Sequence, residues 1–273
     1  MRDSMVRVAE EEDFAAIGGL YSQVGFRPDL IDDVRLVCRA LGGRAFVAAD
    51  STGVVGASVG LPLGRTGWLG GIAVSPARQG CGMGAELTGR TMDWLSAGGA
   101  ETLLLHATEA GHRLYTKLGF SDEGVCLQMN PSPDGFPPVC DPTDIRDGVA
   151  ADLPEVLELD RLATGEDRGP LLRGLWPRGA RVAGGGSGLT GFSLTPPHGP
   201  AVGAVVARTP GGGMALLGER HGGVALPAAN SAVLDALVRA GFTESARTMR
   251  MYRGPRPPWR PELLHGLFNL FWG

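Results

Sequence analysis

Three alternate glycines, Gly80, Gly82 and Gly84, stand directly before a helix-like run in the segment QGCGMG. Glycine adopts positive φ without steric cost and lets a ligand approach the main chain. A glycine turn that opens a helix presents unpaired N–H groups and the positive end of the helix dipole, which together bind anions. The spacing therefore indicates a phosphate-binding loop. An ordinary turn is the alternative, because 44 of the 273 residues are glycine.

The elements around this loop follow from the apolar pattern. Leu87, Trp94 and Leu95 recur near helical spacing, which predicts a helix directly after the glycines. A strand-like run, 67–74, precedes the loop, and a second one, 101–107, follows the helix. We therefore expect the loop to lie between a strand and a helix.

The chain also contains two similar halves. Each half follows one order: a strand-like start, helix, hairpin, strand, helix, strand, helix, strand. This order predicts a mixed α/β fold that occurs twice. The matching segments are 6–17 with 145–156, 44–61 with 180–195, and 111–120 with 231–242.

The predicted boundaries follow from this repeat and from proline content. Residues 1–130 form the first domain, and 131–144 form a proline-rich linker, since such a run cannot sustain a helix or a central strand. Residues 145–255 form the second domain. Apolar residues at helical spacing after Pro261 predict a closing helix within 256–273, packed inside the chain.

Composition excludes several classes of protein. The net charge of −4 argues against broad nucleic-acid binding. The four cysteines form no CxxC pair, so we expect neither a metal site nor a disulfide framework. The N-terminus is too acidic for a signal peptide, and the apolar tail is too short to span a membrane. We expect a reduced, cytoplasmic protein with no nucleic-acid or membrane partner; a homodimer stays open.

Two motifs resemble the GCN5-related N-acetyltransferase (GNAT) superfamily. Its phosphate-loop signature, Gln/Arg-x-x-Gly-x-Gly/Ala, is met by residues 79–84 after the apolar-x-Val-x-Pro pattern of 72–76. Its Leu-Tyr-x-Lys-x-Gly-Phe ending is met by residues 114–120. The resemblance covers roughly residues 5–130, and the second half resembles the divergent C-terminal domain of bacterial tandem members. It implies two domains, each a twisted mixed sheet flanked by helices.

The resemblance implies that acetyl-CoA is the cosubstrate and that no metal takes part. The pyrophosphate would bind the N–H groups of residues 79–84, and the pantetheine arm would lie beside the strand that precedes them. Tyr115 occupies the general-acid position, and a phenol of pKa about 10 stays protonated at neutral pH. The implied cofactor-binding residues are Ile72, Ala73, Val74, Gln79, Gly80, Cys81, Gly82, Met83, Gly84 and Ala85.

The implied activity is acetyl transfer to a primary amine of a small molecule by direct attack. The alternatives are a CoA-binding sensor or scaffold without turnover, and a repurposed member that uses another acyl thioester or different chemistry. A protein N-terminus or lysine stays open as the acceptor. The general base is open as well, because neither 67–74 nor 102–105 carries a carboxylate. The candidates are His106, a chain of water molecules, and a substrate amine that is already neutral when it binds.

The second half is predicted to lack coenzyme A chemistry. When the endings Gly119-Phe120 and Gly241-Phe242 are aligned, Leu237 falls opposite Tyr115. The segment 202–217 is rich in glycine but lacks the signature spacing. We expect this half to shape the acceptor pocket.

Overall fold

The order of secondary structure repeats along the chain, as the paired sequence segments predict. The computed structural model describes residues 5–27, 29–136, 144–177, 179–185, 188–195, 203–220 and 222–273. The first half comprises β1 (Met5–Val8), α1 (Asp13–Gln23), α2 (Leu30–Ala40), β2 (Arg44–Asp50), β3 (Gly53–Leu63), β4 (Thr66–Val74), α3 (Met83–Ala97), β5 (Thr102–Ala107), α4 (Glu109–Lys117) and β6 (Ser121–Asn130). The second half comprises β7 (Ile145–Asp147), α5 (Leu153–Thr164), α6 (Gly169–Leu175), β8 (Arg181–Gly185), β9 (Gly188–Ser193), β10 (Val205–Ala207), α7 (Pro210–Gly218), β11 (Val224–Pro227), α8 (Ser231–Arg239), β12 (Thr243–Arg253) and β13 (Leu264–Gly266).

The repeat extends to individual contacts. In the first half Arg7 and Asp13 join β1 to α1 through an ion pair of 2.6 Å. In the second half Arg146 and Asp152 join β7 to the turn before α5 with the same 2.6 Å separation. Equivalent side chains at equivalent positions indicate one structural unit used twice.

The two halves exchange their last strands. The larger sheet of the described residues has the order β1-β2-β3-β4-β5-β12-β6-β11. Thus β12 from the second half lies between β5 and β6, while β6 from the first half lies between β12 and β11. Met249 of β12 pairs with Ala107 on one side and with Val125 on the other. The predicted domain boundaries stay a prediction, and the middle of the predicted linker, 137–143, lies outside the described residues.

The two faces of this sheet carry different helices. Trp68 of β4 packs with Ile17 of α1, whereas its neighbour Leu69 packs with Leu95 of α3 and with Tyr115 of α4. The alternation follows from the strand period of two residues. The face that carries Trp68 and α1 is called the α1 face below.

The tail does not form the predicted helix. Residues 261–263 form a 3₁₀ turn and residues 264–266 form β13, which pairs with β10 in the second sheet, of order β13-β10-β9-β8-β7. The prediction was wrong because pairing with β10 satisfies the backbone hydrogen bonds of the tail. Apolar residues at helical spacing also occur in buried, irregular segments. The predicted burial inside the chain is confirmed, since Phe271 is 9% exposed and Trp272 is 4% exposed.

The tail connects the two halves. Beyond β13 the N–H of Leu267 donates to the carbonyl of Ala225 in β11 at 2.7 Å. The strand β13 thus lies between β10 and β11. The corresponding strands of the first half, β4 and β5, pair directly with each other. At Gly273 the tail reaches the first half, since a Cβ there would lie 2.6 Å from the Trp68 ring, and the Gly273 carbonyl accepts a hydrogen bond of 2.8 Å from Arg168 of the second half.

In the described ranges we find no helix with the length and apolar character needed to cross a membrane. The same residues contain no group of three or more His, Cys, Asp or Glu side chains placed to hold a metal ion.

Candidate active site

The glycine loop lies between the end of β4 and the start of α3. Gly80 has φ of 80° and Gly82 has φ of 89°, the region that side chains with a Cβ rarely adopt. A Cβ built at either position would meet no described atom within 4 Å. The protein itself therefore leaves the space above both glycines open, as a phosphate that contacts the main chain requires.

The start of α3 supplies donors to this space. The N–H groups in the first turn of a helix have no intrahelical acceptor, and the helix dipole adds positive potential there. Met83, the first residue of α3, is buried, whereas Cys81 is exposed and its Sγ lies 2.8 Å from the Arg78 carbonyl. Gly84 and Ala85 are half-buried in the first turn. The exposed residues Gly80, Cys81 and Gly82 thus lie directly before the helix turn whose N–H groups lack intrahelical acceptors.

Side chains fix both ends of the loop. The amide of Gln79 donates to the carbonyl of Val74 at 3.0 Å, which ties the loop to β4. Arg78 forms an ion pair of 2.6 Å with Asp50 of β2. These contacts hold the donors in place before a ligand arrives, which lowers the entropic cost of binding.

Strands β4 and β5 diverge next to the loop. They pair in parallel only from Thr66 with Thr102 to Leu69 with Leu105. Past that point, no described strand pairs with β4 on its β5 side, and a bulge with Gly71 at φ of 56° turns the strand.

The predicted pantetheine strand lies along this open edge. Ile72 and Val74 are half-buried and Ala73 is buried. An extended ligand can add main-chain hydrogen bonds to such an edge in the way another strand would.

Tyr115 lies on α4, close to the phosphate loop. Its neighbour Leu114 would be 3.5 Å from a Cβ at Gly84, so α4 packs beside the start of α3. The Tyr115 ring is 7% exposed and packs edge-on against Phe120 at 6.2 Å. Burial raises the pKa of its phenol to about 12, and no hydrogen bond to its hydroxyl is found in the described residues. A protonated hydroxyl without a partner is available to donate.

The helix that carries Tyr115 starts with a defined cap. The Thr108 hydroxyl accepts a hydrogen bond from the N–H of Gly111 at 3.4 Å. Glu109, the first residue of α4, is exposed.

His106 lies where β4 and β5 separate, on the α1 face. Its ring stacks on Trp68 at 5.3 Å, and Nδ1 lies 3.3 Å from the Thr248 hydroxyl. Nε2 is buried and has no partner in the described residues. Burial, with a smaller contribution from the charge of Arg250, lowers the pKa of His106 to about 3. A ring with this pKa is a weak base, so the hypothesis of His106 as general base loses support.

The buried imidazole makes stability depend on pH. Because the folded pKa lies below the unfolded value of about 6.5, the contribution is complete above that pH and is lost as the pH falls toward 3. At pH 5, keeping the ring neutral in the folded state lowers the free energy of unfolding by about 2 kcal/mol. Between pH 7 and pH 5 the free energy of unfolding of the parent should therefore fall by about 2 kcal/mol because of His106. We expect His106→Gln to be spared this fall, as measured by urea titrations at both pH values. His112→Gln, which changes an imidazole whose side chain is 38% exposed, is the control; equal losses in the parent and in His106→Gln would contradict the assignment.

A buried charged cluster beneath the α1 face was not found from the sequence. Arg250 of β12 contacts Glu123 of β6 at 2.7 Å and Glu166, which follows α5, at 3.2 Å. Glu166 also accepts from the indole N–H of Trp68 at 2.6 Å. All three charged side chains are at most 3% exposed. No sequence motif marks them, because they come together only through the strand exchange.

The tail closes the same face. A Cβ at Gly70 would lie 2.7 Å from the Phe271 carbonyl and 2.8 Å from its ring. A Cβ at Gly71 would collide with the Phe271 ring and with the hydroxyl of Tyr21. That hydroxyl is buried and has no partner in the described part of the chain. The second half therefore covers the face of β4 where the strands separate.

The described residues of the second half form no equivalent opening. Leu237 of α8 occupies the position of Tyr115: its carbonyl accepts from Phe242 at 3.0 Å, as that of Tyr115 accepts from Phe120 at 3.0 Å. Between β10 and β11 the space is filled by β13, where His265 would collide with a Cβ at Gly213.

Comparisons with known proteins agree with this geometry. Two models of the family described as acetyltransferase (GNAT) domain match residues 42–122 and 156–266. An [Ribosomal protein bS18]-alanine N-acetyltransferase from Haemophilus influenzae is 36% identical over 66 residues, which is 23% of this chain and 45% of that protein. The chain thus spans under half the length of this curated relative.

Two solved structures share the whole architecture. A Pyrococcus horikoshii protein assigned as an acetyltransferase superposes with a TM-score of 0.84 at 20% identity, over 100% of this chain and 97% of its own. A GCN5-related N-acetyltransferase from Sphaerobacter thermophilus gives 0.69 at 19% identity, over 95% and 98%. At these identities the likeness shows the fold. The two family matches, the repeated fold and the glycine loop together show that the chain belongs to the GNAT superfamily, with two tandem domains of that family.

Proposed function

We propose that the chain is an N-acetyltransferase that moves the acetyl group of acetyl-CoA to a primary amine of a small molecule. One observation supports the proposal: the first half brings together an open glycine loop, an unpaired edge of β4 and a buried, protonated Tyr115. Acetyl-CoA supplies an already activated thioester, so positioning accounts for much of the catalysis. The open space above Gly80 and Gly82 supports a pyrophosphate bound to the main chain there.

Each element has a definite task in this proposal. The N–H groups of residues 79–84 bind the pyrophosphate, and the edge formed by Ile72, Ala73 and Val74 orients the pantetheine arm. A main-chain N–H of this edge donates to the oxyanion that develops as the amine attacks. Tyr115 then donates its proton to the departing sulfur.

The proton of the attacking amine goes to water in this proposal. Strands β4 and β5 carry no carboxylate at the opening, and His106 is a weak base. Glu123 and Glu166 both form ion pairs with Arg250, and the proposal gives neither the role of base. The amine must therefore arrive neutral or lose its proton to solvent.

The enclosed α1 face favours a small acceptor. Phe271 and Tyr21 both lie against the β4 bulge, which leaves little room for a polypeptide. The Haemophilus influenzae relative acts on an alanine of a ribosomal protein by its name, and a protein N-terminus is therefore the second candidate acceptor.

The test separates turnover from binding. We expect acetyl-CoA to raise the melting temperature and coenzyme A thiol to be released with at least one member of a panel of small amines. An N-terminal alanine peptide in the same panel tests the second acceptor. Stabilisation without thiol release from any amine would favour the sensor or scaffold, and release only with other acyl thioesters would favour a repurposed enzyme.

A further inference from the structure

A groove on the second half is lined by three arginines from three different elements. Its volume is about 470 Å³, within the range of small-molecule sites. Arg161 comes from the last turn of α5, Arg208 from the residue after β10, and Arg260 from the residue before the 3₁₀ turn of the tail. Glu158 is the one carboxylate among the lining residues, so the lining carries a net charge of about +2.

These arginines lack the pairing that several others in the same half have. Arg146, for example, pairs with Asp152, and Arg181 pairs with Asp147 at 2.7 Å. Within the described residues, the three groove arginines have neither an ion pair nor a side-chain hydrogen bond. Three unpaired guanidiniums around one opening repel each other, and an anion between them would remove this repulsion.

The remaining lining residues have no polar side chain: Leu162, Gly165 and Pro258. A lining that combines guanidiniums with apolar residues suits a ligand that has an anionic group and an apolar or ring-shaped body.

We infer that this groove binds a small phosphorylated molecule. Guanidiniums bind phosphate oxygens through paired, charge-assisted hydrogen bonds, and their planar geometry favours phosphate over a simple halide. The inference does not depend on the proposed acetyl transfer, because the groove lies on the half without a coenzyme A opening.

Two residues of the groove directly precede residues that contact Arg250 at the interface between the halves. Gly165 directly precedes Glu166, and Pro258 directly precedes Trp259. Both Glu166 and the Trp259 ring contact Arg250, the ring at 5.1 Å. Occupation of the groove is therefore expected to change the fluorescence of Trp259, an effect that a Trp259→Phe variant would remove.

The test uses inorganic pyrophosphate as the probe, titrated calorimetrically into the full chain saturated with coenzyme A. Saturation keeps pyrophosphate out of the glycine loop. We expect binding to the parent that weakens with added salt, and a loss of at least tenfold, about 1.4 kcal/mol, in Arg161→Gln/Arg208→Gln/Arg260→Gln. Arg239→Gln, at the exposed end of α8, is the matched control and is expected to bind as the parent does.

Two results would overturn the inference. One is the absence of binding to the parent at millimolar pyrophosphate. The other is equal binding by the parent and the triple variant, which would place the anion elsewhere. The single variant Arg208→Gln keeps the test valid if the triple variant unfolds, since Arg161 and Arg260 also lie near the negative C-terminal end of α5. If coenzyme A fails to bind, pyrophosphate is titrated into the Gly82→Leu variant instead, in which the glycine loop is blocked. The groove can then be tested even if the proposed coenzyme A site is wrong.

Discussion

A Tyr115→Phe variant is expected to turn over about 10²- to 10⁴-fold more slowly than the parent, with unchanged affinity for acetyl-CoA. The substitution removes one hydroxyl and keeps the ring that packs against Phe120. Because no described residue hydrogen-bonds this hydroxyl, its removal leaves no buried group without a partner. The expected effect is therefore on kcat alone.

The matched control is Tyr252→Phe on β12. This ring is half-buried, with the Arg256 guanidinium 5.9 Å from its centre, and has no part in the proposed mechanism. Turnover is measured by thiol release and affinity by calorimetry. Full activity of Tyr115→Phe would show that the thiolate departs without this proton. The raised pKa predicts further that Tyr115 stays protonated, so its ionisation causes no loss of rate up to pH 10 or so.

The parts of the fold that the sequence predicts are local. The Gly-Phe endings at 119–120 and 241–242 mark the same backbone turn, with φ of 86° at Gly119 and 87° at Gly241. Such turns depend on a few adjacent residues, so aligning them correctly placed Leu237 opposite Tyr115. The glycine loop was predictable for the same reason.

The parts that the sequence does not reveal depend on distant segments. Nothing near β12 indicates that it pairs with β5 and β6, because both neighbours lie more than a hundred residues away. The tail was predicted as a helix from spacing alone, yet β10 decides its conformation. Glu123, Glu166 and Arg250 became visible only once these long-range pairings were known.

The glycine loop gives the sharpest test of the cofactor site. We expect Gly82→Leu to weaken coenzyme A binding on the order of 100-fold, or about 3 kcal/mol, measured by calorimetry. A Cβ at this position meets no described atom within 4 Å, so we expect the added side chain to enter the space proposed for the pyrophosphate. The cost to folding is confined to the positive φ of 89°, roughly 1–2 kcal/mol for a residue other than glycine.

Gly99→Leu is the control that separates these two effects. Gly99 follows the other end of α3, has φ of 97° and also has no described atom within 4 Å of a built Cβ. Both variants therefore carry the same kind of backbone strain, and comparable drops in melting temperature are expected. Only Gly82→Leu places its side chain beside the N–H groups of the loop. Equal coenzyme A affinities in the two variants would mean that the pyrophosphate does not bind at the start of α3.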